Sequence, residues 1–277
     1  MIDPALTKLM WLLMRGGLRQ VKRLLKTPSG ALTAALMIVV FGVGMLPSIT
    51  VGFTRPEAIP TEFASILLFG VPVLMYLATT TLVLTDSGKS LLELRPPELQ
   101  FVLAGPFSNS QILSFRLLTL ALGRIPISFF FAIFLLAHFG SFVGAFLGIF
   151  LGGALITLTS FLYTLLVPRF DRRIMMLVRL LLVIGAALIT ADTAYHVLRN
   201  DNVISLESLQ SALAECRVAH VLTIPFAPFG NLMMSDSAMA IGRYAGGSVL
   251  SVLACLAACY LSNSGFAELA VEGVARR

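Results

Sequence analysis

The stretch Ile125–Val167, IPISFFFAIFLLAHFGSFVGAFLGIFLGGALITLTSFLYTLLV, decides the fold of this chain because it contains no Asp, Glu, Lys or Arg. One membrane-spanning helix needs about 20 apolar residues, so this run is about twice as long as a single span requires. The segment His138-Phe139-Gly140-Ser141 is the best position for a turn within it. The run therefore predicts two consecutive membrane spans, Leu117–Ala137 and Phe142–Val167.

The composition of the whole chain agrees with this interpretation. Hydrophobic residues make up 57% of the 277 residues, charged residues make up 12%, and the mean hydropathy is +0.92. A soluble domain carries about 25% charged residues, so these values indicate an integral membrane protein. The predicted fold class is an all-α polytopic membrane protein with six transmembrane helices. The other four predicted spans are Ala31–Phe53, Phe63–Thr85, Ile174–His196 and Ile241–Leu261.

The loop charges predict the orientation of these spans. Cytoplasmic loops carry an excess of Lys and Arg, and six spans place both termini on one side of the membrane. The side that holds the termini is richer in basic residues at each connection. We therefore expect a protein of the inner membrane whose N- and C-termini are cytoplasmic. The basic residues on that side are Lys8, Arg15, Arg19, Lys22, Arg23, Lys26, Lys89, Arg95, Arg169, Arg172, Arg173, Arg276 and Arg277, whereas the other side has Arg55, Arg199, Arg217 and Arg243.

Residues 1–28 are predicted to form an amphipathic helix that lies in the plane of the membrane. Asp3 can cap a helix that starts at Pro4, and the basic residues up to Lys26 share one face of that helix. A cationic face opposite an apolar face is typical of helices on an anionic lipid surface. The alternative is a basic tail that merely adheres nonspecifically. The transmembrane domain then covers residues 29–263, and residues 264–277 form a cytoplasmic tail.

The external connection between the fifth and sixth spans contains an unusual apolar segment, residues 218–234. Pro225, Pro228 and Gly230 interrupt this segment, so it cannot form one spanning helix. It could enter the membrane as a re-entrant segment if neighbouring helices cover its free backbone groups. The alternative is an ordinary surface loop with some buried residues.

The cytoplasmic connection between the second and third spans, residues 86–110, carries the most specific motif. Its pattern is Glu98, then Phe101-Val102-Leu103, then Pro106-Phe107-Ser108. This pattern, followed by Ile112-Leu113, resembles the coupling elbow of ABC-2 type transport permeases, in particular the ABC exporter permease family. The family usually has a basic pair after the serine, and this chain has Asn109-Ser110 there. The interfacial helix and the interrupted external segment are also similar to elements of that family.

The resemblance implies that the chain is the membrane subunit of an exporter and that a separate ABC ATPase subunit drives it. The ATPase would dock at the elbow and the N-terminal helix, and the substrate path would lie between two permease copies or between this chain and a related half. Family members usually continue into a second membrane half, so the chain would be a short form or a truncated one. The implied docking residues are Glu98, Phe101, Pro106, Phe107 and Ser108.

No motif in the chain predicts an enzyme, a metal site or a cofactor. Gly88-Lys89-Ser90 resembles the end of a phosphate-binding loop, but such a loop needs a glycine where this chain has Val83. We therefore expect no ATP hydrolysis by the chain alone. The three cysteines, Cys216, Cys255 and Cys259, form neither a disulfide framework nor a metal-ligand set.

Ionisable residues inside predicted spans are candidates for a pathway or a gate. Arg124 is the deepest of them, and its alternatives are a contact with a helix end or with another subunit. Asp192 and His196 lie one helical turn apart near the outer end of the fifth span, where a proton relay, a structural pair or a bridge to Arg243 are all possible. A secondary transporter or channel-like protein without an ATPase is the alternative function, and Arg124 would be its only candidate group near the midplane.

The spacing of Gly144, Gly148 and Gly152 places these three small residues along one face of the fourth span. Such a ridge permits close approach of another helix, either within the chain or across a dimer seam.

The predicted topology can be tested with single cysteines placed in a background in which the three native cysteines are replaced. Membrane-impermeant reagents should label position 207 from outside intact cells and should label positions 95 and 172 only after the cells are opened. External labelling of position 172 would show that the orientation is inverted.

Overall fold

The computed structural model describes residues 61–85, 108–136, 139–200 and 216–262, together with residues 26–27 and single positions between 31 and 50. The predicted in-plane helix 1–28 (apart from its end), most of the first span, the elbow before Ser108 and the tail 264–277 lie outside the described residues. Every continuous described segment is helical, which confirms the all-α fold class. The helices are α1 Thr61–Leu84, α2 Asn109–Phe134, α3 Phe142–Leu166, α4 Arg172–Asn200, α5 Arg217–Thr223, α6 Ala227–Met233 and α7 Ala238–Leu261, with a 3₁₀ turn Ile224–Phe226 between α5 and α6.

Four of these helices, α2, α3, α4 and α7, are long and apolar enough to cross a membrane. They correspond to the predicted third to sixth spans, and α1 corresponds to the predicted second span. The outer surface of α4 carries large exposed apolar side chains, which suits a helix that faces lipid rather than water. The exposed apolar residues of α4 include Ile174, Met176, Leu177, Leu180, Leu181, Ile184 and Leu188.

Helix α2 begins eight residues before the predicted span, because a polar cap and not the end of the apolar run determines its start. Ser108 has extended backbone angles, and its side chain accepts a hydrogen bond from the backbone N–H of Gln111. The Gln111 side chain accepts in return from the Ser108 backbone N–H at 2.9 Å, which completes a capping box. Arg116 therefore lies inside the helix, about two turns from its start.

The sharp connection between α2 and α3 is at the predicted position. Helix α2 ends at Phe134, and α3 begins after Ser141, whose side chain accepts a hydrogen bond from the backbone N–H of Gly144. The Ser141 hydroxyl also donates to the carbonyl oxygen of Ser235 at 2.8 Å. The turn is thus capped locally and joined to the segment that leads into α7.

Helix α3 lies at the centre of the described bundle and packs against α1, α2, α6 and α7. Its side chains contribute to the main clusters of buried residues because it has neighbours on most of its faces. The interior combines large apolar residues with small polar ones, some of which, such as Thr79 and Thr164, bond to their own helix. The largest fully buried side chains are Phe115, Phe161, Phe229, Leu113, Leu165, Ile189 and Leu232.

The predicted re-entrant segment forms a helical hairpin within the bundle. Along α5 the chain runs from one end of the bundle towards its interior. Leu222 packs against Gly185 of α4, and the ring centroids of Phe226 and of Tyr76 in α1 are 6.5 Å apart. Helix α6 then returns along α3 towards the same end, from Phe229 beside Gly152 to Ser235 beside Ser141. That end is the one that the loop charges predict to be external.

The hairpin reaches about the middle of the bundle. Gly152 lies ten residues into α3, or about 15 Å along the helix at 1.5 Å per residue. Gly230 contacts Leu68 and Pro72 of α1, where the proline ring removes one helix hydrogen bond. The broken backbone of the hairpin is therefore covered by α1, α3 and α7. The segment is therefore helical and packed among other helices, and its entry into the membrane as a re-entrant element stays a prediction.

The glycine ridge of α3 holds this hairpin. A Cβ atom on Gly144 would come within 2.5 Å of the Leu232 carbonyl oxygen, and one on Gly152 would come within 2.9 Å of Met75. A Cβ on Gly148 would overlap the side chain of Met233. Of the two interpretations of the ridge, close packing within the chain is the correct one, since α6 already covers these positions.

We expect Gly144→Ala to lower stability by about 1–3 kcal/mol, the usual cost of overpacking a well-packed site. The added methyl group would meet backbone carbonyls of the hairpin, which cannot rotate away as a side chain could. The control is Gly246→Ala in α7, because a Cβ there has no atom within 4 Å. Thermal unfolding in the same detergent should show a lower midpoint for Gly144→Ala only. Equal midpoints would contradict the proposed backbone contact.

The start of the hairpin supplies a second test. Cys216 is fully buried and accepts a hydrogen bond from the Ala219 backbone N–H at 3.3 Å. Burial and the neighbouring Asp192 side chain raise the pKa of this thiol, which leaves less of the reactive thiolate at neutral pH. In a chain that retains only this cysteine, N-ethylmaleimide should react at least about tenfold more slowly than with Asp236→Cys in a cysteine-free background.

Asp236 is an exposed residue at the same end of the bundle. Both cysteines are therefore reached from the same side of the membrane, and the comparison tests the effect of burial. Unfolding in sodium dodecyl sulfate should make the two rates similar. Rapid labelling of Cys216 in the folded protein would show that α5 does not pack as described.

Candidate functional site

A largely apolar groove between α2, α3 and α7 surrounds the deepest charged residue that the sequence analysis singled out. Its volume is about 540 Å³, which falls within the range of about 300–1,000 Å³ typical of ligand sites. Arg124, Thr157, Ser114 and Tyr260 contribute the polar groups. The apolar wall consists of Leu117, Leu118, Leu120, Ala121, Phe150, Leu151, Ala154, Leu158, Val252 and Leu256.

Arg124 projects from α2 towards α3. Its Nη2 donates a hydrogen bond to the Thr157 hydroxyl oxygen, and the Thr157 hydroxyl donates to the Gly153 carbonyl oxygen at 3.0 Å. A Cβ atom on Gly153 would overlap the guanidinium. The missing side chain at Gly153 is therefore what allows the guanidinium to lie against α3.

The charge of Arg124 has no counterpart among the residues that the structure describes. Among the described residues, Asp192 and His196 form an ion pair on α4, and no carboxylate lies within ion-pair distance of the Arg124 guanidinium. A guanidinium has five N–H donors, of which Thr157 takes one. A charged group in the middle of a spanning helix is costly unless it pairs or reaches water, so the remaining donors favour an anionic ligand or partner.

A hydrogen bond between α2 and α7 lies at the opposite end of the groove. The hydroxyl oxygens of Ser114 and Tyr260 lie 2.6 Å apart, and the Ser114 hydroxyl is also 2.6 Å from the Ser110 carbonyl oxygen. Ten residues of α2 separate Ser114 from Arg124, which corresponds to about 15 Å along the helix. The groove thus has a polar end near the start of α2, an apolar middle and a cationic end.

Asp192 and His196 form a separate pair on α4. The His196 Nε2 and the Asp192 Oδ1 are 3.5 Å apart, and both side chains are partly exposed. Arg243 is exposed on α7, and within the described part of the chain it makes no ion pair with Asp192. None of these three residues lines the groove around Arg124. The structure therefore keeps them apart from Arg124, and a pathway or gating role for them stays a prediction.

The elbow residues Glu98, Phe101, Pro106 and Phe107 lie outside the described residues, so their docking role also stays a prediction. Ser108 is described, and its side chain caps α2. The elbow is consequently joined to the groove by one continuous helix, Asn109–Phe134, which begins at the cap and carries Arg124.

The polar groove residues Ser114, Thr157 and Tyr260 were not identified from the sequence, and neither was Gly153 beside the guanidinium. Arg124 and Thr157 are 33 residues apart in the chain, and Ser114 and Tyr260 are 146 apart. The available signal was the spacing of Gly153 and Thr157, one turn apart within an uncharged span. That spacing places a gap and a hydroxyl on the same face, but it does not show which helix faces them.

Comparison with known proteins identifies the family of the chain. The model of the family described as "Putative ABC exporter" matches residues 6–277. No curated protein matches the chain, and no solved structure matches it. The match covers nearly the whole chain, including every described helix and the groove, and we conclude that the chain belongs to the ABC exporter family.

Proposed function

We propose that this chain is the membrane permease subunit of an ABC-2 type exporter, that it forms the substrate pathway, and that a separate ATPase subunit drives it. The observation that carries the proposal is the family match over residues 6–277, in a chain whose described part has four helices able to cross a membrane. Membership of an ABC exporter family implies an ATPase partner in general. The loop charges support a location in the inner membrane with both termini in the cytoplasm.

Helix α2 supplies a mechanical connection between the proposed docking site and the groove. The helix starts at the Ser108 cap and reaches Arg124 after about 24 Å of regular helix. Pro126 cannot donate a backbone hydrogen bond to the carbonyl oxygen of Leu122, so the turn from Leu122 to Pro126, which carries Arg124, is the easiest part of the helix to bend. A displacement at the elbow would therefore move the groove wall between Ser114 and Ala121 as one unit.

The substrate pathway in this proposal includes the groove between α2, α3 and α7. Movement of α2 relative to α3 would change the Arg124–Thr157 contact, and movement relative to α7 would change the Ser114–Tyr260 contact. Both are contacts between helices, so an ATP-driven motion of α2 could open one end of the groove and close the other. A second permease copy or a related half would complete the pathway.

The elbow should bind the ATPase mainly through its aromatic residues. An aromatic anchor in a groove often contributes about 2 kcal/mol or more, whereas an exposed ion pair contributes about 1 kcal/mol or less. When the tagged chain is purified from its native membranes, an ATPase with a phosphate-binding loop should accompany it. Phe107→Ala should reduce the recovered ATPase more than Glu98→Gln does.

Both variants should insert normally, because neither residue lies in a predicted span. The amount of chain in the membrane fraction is therefore the control for each purification. Recovery of the ATPase with both substitutions combined would show that the elbow is not the docking site. If no ATPase accompanies the unaltered chain, the alternative of a secondary transporter or channel-like protein would be favoured.

A further inference from the structure

We propose that the groove between α2, α3 and α7 binds an anionic amphiphile with one alkyl chain, whose phosphate or carboxylate headgroup pairs with Arg124. The binding site is inferred from the groove alone, whereas its use as an export site rests on the proposed function.

The headgroup assignment follows from the donors of Arg124. Thr157 accepts one hydrogen bond, and the described residues offer the guanidinium no carboxylate. The planar guanidinium presents paired N–H groups that match two oxygens of a phosphate or carboxylate. A neutral headgroup would leave the charge uncompensated inside a spanning helix, and the groove therefore selects an anion.

The alkyl chain follows from the wall of the groove. Between Arg124 and Ser114 the wall consists of aliphatic side chains and Phe150, over about 15 Å of α2. A free inorganic anion would leave this surface without a partner, whereas an alkyl chain would pack against it by van der Waals contact. The volume of about 540 Å³ suits a single small amphiphile.

The test uses the purified chain in an uncharged detergent, without ATP or any ATPase. A photoreactive fatty acid is cross-linked to the chain, and the modified peptides are identified by mass spectrometry. Labelling should be saturable and should map to α2, α3 or α7. Dodecyl phosphate or dodecanoate should compete with the probe, and comparison of the two identifies the preferred headgroup. Dodecanol and inorganic phosphate should not compete.

Two substitutions test the role of the guanidinium. Arg124→Gln should weaken binding at least tenfold, whereas Arg116→Gln should change it less than twofold, because Arg116 lies on the same helix but does not line the groove. Gly153→Ala should also weaken binding severalfold, since its methyl group would displace the guanidinium without removing the charge. Gly123→Ala is the matched control, because a Cβ there meets no atom within 4 Å.

Several outcomes would overturn the proposal. If dodecanol competes as well as the charged amphiphiles do, the site does not recognise the charge of the headgroup. If inorganic phosphate competes as well as they do, the site does not bind the alkyl chain. Full binding by both Arg124→Gln and Gly153→Ala would exclude Arg124 as the headgroup site. If Arg124→Gln fails to fold, the pair Gly153→Ala and Gly123→Ala decides the question. Loss of ATPase capture would remove the export role but would leave the binding result unchanged.

Discussion

The close approach of α6 to α3 is the constraint on which the rest of the described structure depends. At Gly144 and Gly148 the space of a side chain is already occupied by atoms of the hairpin, including the backbone at Leu232. The hairpin has an irregular backbone that an apolar medium cannot solvate, so it is stable only where other helices cover it. The glycines of α3 allow the hairpin to approach this helix closely, and α1 and α7 pack around both elements.

Many hydroxyl groups of the bundle donate hydrogen bonds to carbonyl oxygens of their own helices. The hydroxyls of Thr79, Thr159, Thr164 and Thr223 donate to the carbonyl oxygen four residues earlier, at 2.6–3.0 Å. Such bonds add little between helices because they replace a bond to water with one to the same helix. Arg124 and Arg179 differ, since each donates to a hydroxyl group of α3, that of Thr157 and that of Tyr163, respectively. Of these two, Arg124 lines the groove.

The helix that carries Arg124 begins at the end of the elbow, which we propose as the docking site, and it lines the groove, which we propose as part of the pathway. The capping box at Ser108 fixes the first turn of α2, and Pro126 weakens the turn that carries Arg124 because it cannot donate to the Leu122 carbonyl oxygen. The segment between them is regular helix whose position is held by the Ser114–Tyr260 and Arg124–Thr157 contacts. Changes at the elbow can therefore reach the groove along α2, whereas the hairpin packs mainly on α1, α3 and α7.

The sequence by itself determined the class of fold, the positions of the described spans and the turn at 138–141, because these follow from long apolar runs and local turn residues. It also identified Arg124 as unusual and located the interrupted segment 218–234. Only the tertiary structure decided that this segment folds as a hairpin on the glycine ridge and that Thr157, Gly153 and Tyr260 join Arg124. Periodicity shows which residues share a face of one helix, but the neighbour of that face depends on contacts between residues far apart in the chain.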